Sequence, residues 1–439
     1  MHLPYIGYGR RYRRDDQVAV SVPSSTKLAK TPEIAVALLT GGGDKPYAYG
    51  LATELLSKGA ALDVIGSDAL DCPAFHSNRR LNFLNLRGDQ RPNVSLLRKV
   101  LRVSLYYVKL IRFVATAKPK IFHVLWHNKF TLFDRTLLLH YYKLLGKRVV
   151  LTVHNVNAAK RDCNDTLLNR LTLRMQYRLA DHIFVHTERM KIELMDDFAV
   201  QGARVTVIPF GINNAVPVTN LTSSEARHRL GMLTNSKVIL FFGNIAAYKG
   251  LEFLVTAFQL IKSRCDDYQL IIAGRPSRYD KYWAAIQQMI QDDVQSKRVL
   301  LKEHYILDEE TEIYFKAADV LALPYRYVYQ SGVLFLSYSF GLPVLAADVG
   351  SLKDDIVEGK TGSLFKPEDP VDLARAIETY FASDLFKGLN SRRQGIRDYA
   401  MKRHSWDVVS QITMGVYAGL LHMPPPEILS RRGAAAASF

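Results

Sequence analysis

Residues 241–250, FFGNIAAYKG, decide the fold: an apolar strand runs into a glycine turn, and a lysine precedes a helical stretch. A strand that stops at Gly243 and a helix that begins near Leu251 leave backbone N–H groups unpaired between them. Lys249 adds a positive charge beside those groups. This pattern predicts an anion site whose natural occupant is a diphosphate.

A second turn of the same kind lies in residues 330–350, QSGVLFLSYSFGLPVLAADVG. Ser331 and Gly332 lie in a polar turn, an apolar helix follows, and Gly341 to Pro343 open a buried strand. Two such turns in one half of the chain predict a cleft for a nucleoside diphosphate.

The chain has 439 residues, of which 48% are apolar, so two folded domains are predicted. The basic charge is uneven. Residues 1–213 hold 32 Lys and Arg against 17 Asp and Glu, whereas the remainder holds 26 against 25. The first half therefore predicts an anionic partner, which could be phosphate, nucleic acid or anionic lipid.

Three cysteines, Cys72, Cys163 and Cys265, are far apart and lack metal-ligand spacing, which fits a reducing cytoplasm. No uncharged apolar run reaches the roughly eighteen residues of a transmembrane helix, so none is predicted. The two ends, residues 1–31 and 424–439, are basic or rich in Pro, Ala and Ser, and are predicted to be flexible tails.

Short apolar runs alternate with helical stretches along the chain. In the first half they lie at 33–39, 62–66, 121–126, 148–153, 182–185 and 205–208, and in the second half at 237–242, 269–273, 319–323 and 343–346. This alternation predicts parallel sheets covered on both faces. The predicted α/β architecture has doubly wound Rossmann-like domains at 32–213 and 237–404, a linker at 214–236, and a helix at 405–423 that crosses back. Ligands are expected in the central cleft between the domains.

Several segments resemble retaining GT-B glycosyltransferases of family 4, in order and at comparable spacing. In the second half they are residues 241–258, 270–276 (LIIAGRP), 316–326 (KAADVLALPYR), 339–377 and 404–417. The resemblance extends more weakly to residues 41–65, 122–127 (FHVLWH), 149–157 (VVLTVHNVN), 179–191 (LADHIFVHTERMK) and 207–213 (VIPFGIN).

The resemblance implies transfer of a sugar from a UDP- or GDP-sugar to an acceptor hydroxyl with retention, and without a metal or other cofactor. In the family, the departing phosphate helps to deprotonate the acceptor. The residues are compatible with this chemistry, because no DxD-like metal motif is evident. Phosphate charge can be met by Lys249, by backbone amides at Ser331, Gly332 and Val333, and by helix dipoles.

His154 and Lys249 are the predicted catalytic residues. His154 directly follows an apolar strand and is similar to the family histidine that touches the donor sugar, although a loop-capping role is the alternative. The predicted donor- and phosphate-binding residues are Gly42, Gly43, Gly243, Asn244, Lys249, Ser331, Gly332 and Val333. For Gly42 and Gly43, a strand-to-helix turn that needs positive φ is the alternative.

The predicted nucleotide-base and ribose residues are Tyr305, Ile306 and Gln330, and those on the acceptor side are His127, Arg161 and Glu188. For Tyr305 and Ile306, an ordinary loop is the alternative. For Glu188, the alternative is an exposed ion pair with Lys191. His123 is expected to pack inside its strand.

The chain also departs from the family pattern. Val328 and Leu336 occupy the places of two glutamates that bind the donor sugar and ribose, and Asn244 replaces an arginine. Ribose recognition is therefore expected from Glu312, Tyr329 or Gln330. These changes indicate either an exopolysaccharide-type subgroup with a QSG turn or a protein that has lost activity.

Residues 95–114, SLLRKVLRVSLYYVKLIRFV, carry Arg98, Arg102, Lys109 and Arg112 at helical spacing beside apolar flanks. Such a helix is typical of an anionic membrane surface, and a core helix with a basic edge is the alternative. The leading hypothesis is a hexosyltransferase that acts on a lipid-linked saccharide in bacterial polysaccharide biosynthesis, peripheral to the inner face of the membrane. The alternatives are a catalytically weakened GT-B scaffold and a nucleic-acid binder. The basic half of the chain lacks the interleaved aromatic and basic residues of a nucleic-acid binder, so no nucleic acid is expected.

Overall fold

The computed structural model describes residues 33–41, 45–90, 95–128, 130–162, 164–212, 216–233, 235–277 and 281–424. Within these ranges the chain from Ile34 onward forms one compact unit. The predicted tails lie outside the described residues, apart from Pro424.

The first domain is a parallel sheet with helices on both faces. Its strands are β1 (Ala35–Leu39), β2 (Ala61–Gly66), β3 (Leu81–Asn85), β4 (Ile121–Val124), β5 (Arg148–Thr152), β6 (His182–Val185) and β7 (Val205–Val207). Their order is β3-β2-β1-β4-β5-β6-β7, with Val36 opposite Leu62 on one side of β1 and Ile121 on the other. The helices are α1 (Lys45–Ser57), α2 (Pro73–His76), α3 (Leu96–Thr116), α4 (Thr131–Phe133), α5 (Leu139–Leu144), α6 (Ala158–Arg161), α7 (Leu167–Leu179) and α8 (Glu188–Phe198).

The second domain repeats this plan. Its strands are β8 (Lys237–Phe242), β9 (Tyr268–Ala273), β10 (Val299–Lys302), β11 (Val320–Leu323), β12 (Val344–Ala347) and β13 (Gly362–Phe365), in the order β10-β9-β8-β11-β12-β13. Its helices are α9 (Ser223–Arg229), α10 (Leu251–Lys262), α11 (Lys281–Gln295), α12 (Asp308–Ala317), α13 (Gly332–Ser339), α14 (Leu352–Asp355), α15 (Pro370–Ala382), α16 (Asp384–Lys387) and α17 (Leu389–His404). The last described helix is α18 (Trp406–Leu420).

Both faces of each sheet are covered by apolar side chains, which explains the continuous apolar strands. Five of the six residues of β8 are buried, and all six of β9. The prediction of two doubly wound parallel sheets is therefore confirmed.

Three strands, β3, β10 and β13, were not predicted. All three lie at the edge of a sheet and have partly or fully exposed residues. Polar residues interrupt the apolar run of β3, and the runs of β10 and β13 are only three and two residues long. The missing signal thus has a physical cause, because an edge strand needs less apolar surface than a central one.

The segment predicted as a linker contains α9. Thr222 caps this helix through a reciprocal bond with Glu225, and the buried Arg227 forms an ion pair of 2.8 Å with Asp319. Ala226 and Met232 belong to the apolar core of the second domain. Much of this polar segment therefore packs as part of that domain.

The two domains are joined where residue 212 meets the start of α18. The backbone N–H of Ile212 donates to the carbonyl of His404 at 2.9 Å, and the Trp406 indole donates to the carbonyl of Ile212 at 2.9 Å. Trp406 also packs on Tyr47 of α1, with ring centroids 4.9 Å apart, and Lys58 pairs with Asp407. The last helix therefore lies on the first domain.

Candidate functional site

The two predicted turns meet at the carboxyl ends of the second sheet. Gly243 has φ of 98°, and a Cβ built there would lie 3.1 Å from Lys249 Nζ and 3.4 Å from Val333 Cγ2. Gly243, Lys249 and Val333, predicted to bind phosphate, are therefore in one place. Asn244 follows Gly243 with an exposed side chain.

Lys249 is largely buried, with 7% of its surface exposed. It ends a 3₁₀ turn that begins at Ala247, and its ammonium lies 5.3 Å from the centre of the Tyr325 ring. Its ammonium places a positive charge beside the Gly243 turn, where it would attract an anion.

Helix α13 points its N-terminus at the same turn. Ser331 is its N-cap, and the Ser331 hydroxyl accepts a hydrogen bond from the backbone N–H of Leu334 at 3.4 Å. Gly332 and Val333 begin the helix, where backbone N–H groups have no acceptor within the helix itself. The helix dipole adds partial positive charge at this end.

The first turn differs from the prediction in one respect. The N–H groups of Lys249 and Gly250 donate to the carbonyls of Ala246 and Ala247, at 2.9 and 3.1 Å, and that of Leu251 donates to the Tyr282 hydroxyl at 3.2 Å. These groups were predicted to be unpaired. They are satisfied because the turn closes on itself and Tyr282 caps α10.

The first-domain side of the cleft is a cavity of about 610 Å³ at the carboxyl ends of β1 to β4. Its lining includes Thr40, Gly41, Lys45, Ala48, Ser67, Ala69, Leu70, Arg87, Gln90, Trp126, His127 and Asn128, with Arg275 from the second domain. Burial and the nearby charge of Arg135 lower the pKa of His127 to about 4, so this histidine is neutral near pH 7.

His154 lies behind Trp126, with which it stacks at 4.0 Å between ring centroids and an interplanar angle of 4°. Its Nδ1 is 3.1 Å from Nε2 of His186, and Nδ1 of His186 is 3.3 Å from the carbonyl of Ile208. Because a carbonyl only accepts, His186 carries its proton on Nδ1 and accepts from His154 Nδ1–H.

This arrangement leaves a lone pair on Nε2 of His154. Burial and the neighbouring histidines His186 and His123 hold the pKa of His154 well below its usual value, so the ring is neutral. Nε2 is buried and has no hydrogen-bond partner within the described part of the chain. His123, in contrast, is fully buried between Tyr417 and Thr152, as predicted.

The three ribose candidates are engaged by other protein groups. The Gln330 amide donates to Asp355 at 3.1 Å, the Tyr329 hydroxyl donates to Glu193 of the first domain at 2.7 Å, and Glu312 accepts from the Thr219 backbone at 2.6 Å. In this conformation these groups bond to other parts of the protein, and the assignment of ribose recognition to Glu312, Tyr329 or Gln330 stays a prediction.

The remaining predicted residues are either outside the described part of the chain or absent from the lining of this cavity. Gly42 and Gly43 lie outside the described residues, as does the side chain of Arg161. Glu188 is exposed in the first turn of α8 and is not among the residues that line the cavity. In the loop after β10, Tyr305 is 60% exposed and Ile306 is buried.

Val328 and Leu336 both belong to the apolar core of the second domain. They are 9% and 7% exposed, so apolar side chains at these positions contribute to packing. Within the described ranges, no group of three or more His, Cys, Asp or Glu residues could hold a metal ion.

Two arginines are among the cleft residues that escaped prediction. Arg87 follows β3, which the sequence pattern missed, so its position at a strand end was not evident. Arg275 lies two residues after the end of β9, in the segment LIIAGRP, and this position at a strand end was recognisable from the sequence.

Helix α3 turns an apolar face to solvent. The exposed fractions are 83% for Leu97, 60% for Leu101, 48% for Leu105 and 51% for Val108. Arg98, Lys109 and Arg112 are exposed on the same helix. Arg102, predicted to belong to this cationic stripe, instead turns inward and donates to the carbonyl of Asp89, because it lies nearer the buried face. Among the described helices, none is long and apolar enough to cross a membrane.

Comparison with known families agrees with this architecture. Residues 41–216 match the model described as Glycosyltransferase Family 4, and residues 236–383 match the model described as Glycosyl transferases group 1. The fold and site thus define a GT-B protein. The chain carries both domains of the group 1, family 4 glycosyltransferases.

Individual relatives are distant. The D-inositol 3-phosphate glycosyltransferase of Corynebacterium urealyticum is 26% identical over 59% of this chain, which spans 61% of that relative's length. Sucrose-phosphate synthase from Thermosynechococcus elongatus has a TM-score of 0.70 at 18% identity, covering 88% of this chain and 99% of that one. Anabaena Alr3699/HepE in complex with UDP-glucose has a TM-score of 0.66 at 15% identity, with coverages of 88% and 99%. These structures show the same fold.

Proposed function

We propose that this protein transfers a hexose from a UDP- or GDP-sugar to an acceptor hydroxyl, with retention of anomeric configuration and without a metal ion. The observation that carries the proposal is the meeting of Gly243, Lys249 Nζ and the N-terminus of α13 at one point of the cleft. A nucleoside diphosphate is the leaving group that such a site would stabilise.

In the proposed reaction, the glycosidic bond to the diphosphate breaks while the acceptor oxygen bonds to the same carbon on the same face. Negative charge grows on the diphosphate, and the Lys249 ammonium and the first amides of α13 stabilise it. The acceptor proton passes to a departing phosphate oxygen. Nε2 of His154 is buried behind Trp126 in this conformation, and after a shift of Trp126 it accepts a hydrogen bond from a donor-sugar hydroxyl, which orients the sugar.

We further propose a lipid-linked saccharide as acceptor, as in bacterial exopolysaccharide assembly, with the protein peripheral to the inner face of the membrane. The support is the exposed apolar face of α3 beside Arg98, Lys109 and Arg112. Apolar insertion and attraction to anionic lipid would act together on such a helix.

The test is sugar transfer in isolated membranes with a panel of labelled UDP- and GDP-sugars. The labelled product is expected in the lipid extract, and NMR of the anomeric proton should report retention. His154→Ala and Lys249→Ala are expected to abolish transfer. The matched control is His182→Ala, because His182 is a buried histidine that bonds Thr206 on the neighbouring strand.

The second candidate is a GT-B scaffold that binds a nucleotide-sugar without turnover. The observation in its favour is that Val328 and Leu336 are core residues, so no carboxylate is offered at those positions. Nucleotide binding without transfer to any membrane acceptor would support the scaffold, whereas transfer lost in the Lys249 variant would exclude it.

A further inference from the structure

The first-domain wall of the cleft has a charge excess that the donor site does not use. Lys45, Arg87 and Arg275 line the cavity of about 610 Å³, and its described lining contains no aspartate or glutamate. Lys249 and Ser331, which belong to the donor turn, are not part of this lining. A second anion, distinct from the donor diphosphate, would balance these cations.

Arg87 is a partly buried cation of this cavity. Its guanidinium donates to the carbonyl of Gly41 and lies 3.5 Å from the Gln90 amide oxygen, and both of these groups are neutral. Burial and the charge of Arg102 lower the pKa of Arg87, whereas Tyr106, Tyr107 and the Asp134 carboxyl oppose this, and the net direction is down. A further anion close to the guanidinium would therefore stabilise its charged form.

The other two cations lie on different walls. Lys45 begins α1 and lies near Asp308 of the second domain. Burial raises the pKa of the Asp308 carboxyl, and the positive charge of Lys45 opposes this rise. Arg275 follows β9, and its carbonyl accepts from the backbone N–H of Ile245. Arg275 therefore reaches the cavity from the second domain, opposite Arg87.

We propose that Arg87, with Arg275 across the cleft, binds a phosphate monoester or diester carried by the acceptor. This inference rests on the proposed function and names the chemical class of the acceptor. The guanidinium presents several N–H donors in a plane, which matches the geometry of phosphate oxygens. Ser67 and Asn128, which also line the cavity, supply neutral hydrogen-bonding groups.

A purely structural role for Arg87 is the competing explanation, because its bond to the Gly41 carbonyl braces the turn after β1. The variant Arg87→Gln distinguishes phosphate binding from this structural role. A glutamine amide still offers a donor to the carbonyl but carries no charge. If bracing were the whole role, phosphate binding would be unchanged in this variant.

Isothermal titration of the full chain, saturated with UDP, with inorganic phosphate and then with glycerol 3-phosphate tests the proposal. Wild type is expected to bind both probes, and Arg87→Gln to bind them about tenfold or more weakly, as for loss of a hydrogen bond to a charged group. Arg79→Gln removes the same charge from an exposed turn of the first domain and should match wild type. Absence of phosphate binding, or equal binding by Arg87→Gln, would overturn the proposal.

UDP titration of the same proteins separates this inference from the proposed function. If UDP fails to bind, the donor assignment fails, and phosphate titration of Lys249→Met still tests Arg87. Sedimentation with vesicles that contain phosphatidic acid distinguishes the source of the phosphate. Loss of vesicle binding in Arg87→Gln identifies a lipid phosphate, whereas loss confined to glycerol 3-phosphate identifies a soluble one.

Discussion

The pair His154 and His186 shows how one residue gains its chemistry from another. His186 is held by a backbone carbonyl, and this contact fixes which nitrogen of His154 carries the proton. Neither ring is charged near neutral pH, because burial lowers the pKa of His186 to about 4 and holds that of His154 well below its usual value. His186 is therefore a positioning residue in the proposed reaction.

Replacing His186 by Phe should lower kcat by about two- to tenfold, the worth of one neutral hydrogen bond, because His154 Nδ1–H loses its acceptor. The Kd of the donor nucleotide should change little. Steady-state kinetics with UDP titrations measure both quantities. His186→Gln, whose amide oxygen can accept, should recover part of the rate, and His182→Phe serves as control. Equal losses in the Gln and Phe variants would contradict the assigned role.

Gly250 is the residue on which the geometry of the Lys249 turn depends. It has φ of 64°, and a Cβ there would lie 2.0 Å from the carbonyl oxygen of Pro324. Gly231 has φ of 67° with no atom within 4 Å of its Cβ position, so it isolates the effect of backbone conformation.

Gly231→Ala should reduce the free energy of unfolding by about 1–2 kcal/mol, the strain of a left-handed residue. Gly250→Ala should cost clearly more, because the backbone of Pro324 must also move. Urea unfolding of both variants gives the comparison. Similar losses at the two positions would show that the close approach to Pro324 is not rigid.

At the scale of elements, α3 is the helix whose orientation the sequence pattern left open. The pattern was compatible with a core helix or a membrane-surface helix. In the structure Tyr106, Leu110 and Val114 face the core while Leu97, Leu101 and Leu105 face solvent. A solvent-exposed apolar face of this length is the basis for the proposed membrane contact.

Leu101→Asp should weaken binding to vesicles that contain anionic lipid by about tenfold or more, because a leucine no longer enters the apolar layer. Stability should change by less than about 0.5 kcal/mol, since the side chain is 60% exposed. Vesicle flotation measures the binding. Val371→Asp, at a 67% exposed position on α15, is the matched control. Unchanged flotation of Leu101→Asp would exclude α3 as the contact.

At the scale of the whole molecule, two parallel sheets were predictable because buried parallel strands are continuous apolar runs. Edge strands such as β3 and β10 were not, since polar residues interrupt the apolar run of β3 and that of β10 is only three residues long. The turn around Gly243 was recognisable from local sequence. Its capping by Tyr282 and the inward turn of Arg102 were not, because both depend on contacts between distant parts of the chain.

Stability of the whole chain should fall as pH falls from about 6.5 towards 4. Burial lowers the folded-state pKa of six described histidines: to about 3 for His123, to about 4 for His127, His182, His186 and His404, and well below the usual value for His154. In this window the unfolded chain binds protons that the folded chain excludes. Each such proton lowers the free energy of unfolding by about 1.4 kcal/mol for every pH unit of acidification.

Four of the described carboxyls oppose this trend. Burial raises the pKa of Asp355 to about 7 and of Asp134 to about 6, and it also raises the pKa of Asp308 and Asp319, so acidification favours their folded state. Because the histidines outnumber them, the net effect should be destabilising. Urea midpoints at pH 7, 6 and 5 measure it, and a midpoint that rises on acidification would contradict the assignment of neutral buried histidines.

The central claim is that a nucleoside diphosphate binds at the meeting of the Lys249 turn and the N-terminus of α13. Thermal unfolding with UDP, GDP and their sugars tests it most directly, because a ligand of the native state raises the melting temperature. At least one of these ligands should raise the melting temperature of the wild type, and it should raise that of Lys249→Met much less. Lys353→Met, which removes an exposed lysine of the same domain, is the control and should respond like the wild type. A melting temperature that no nucleotide changes, or a full response in Lys249→Met, would contradict the claim.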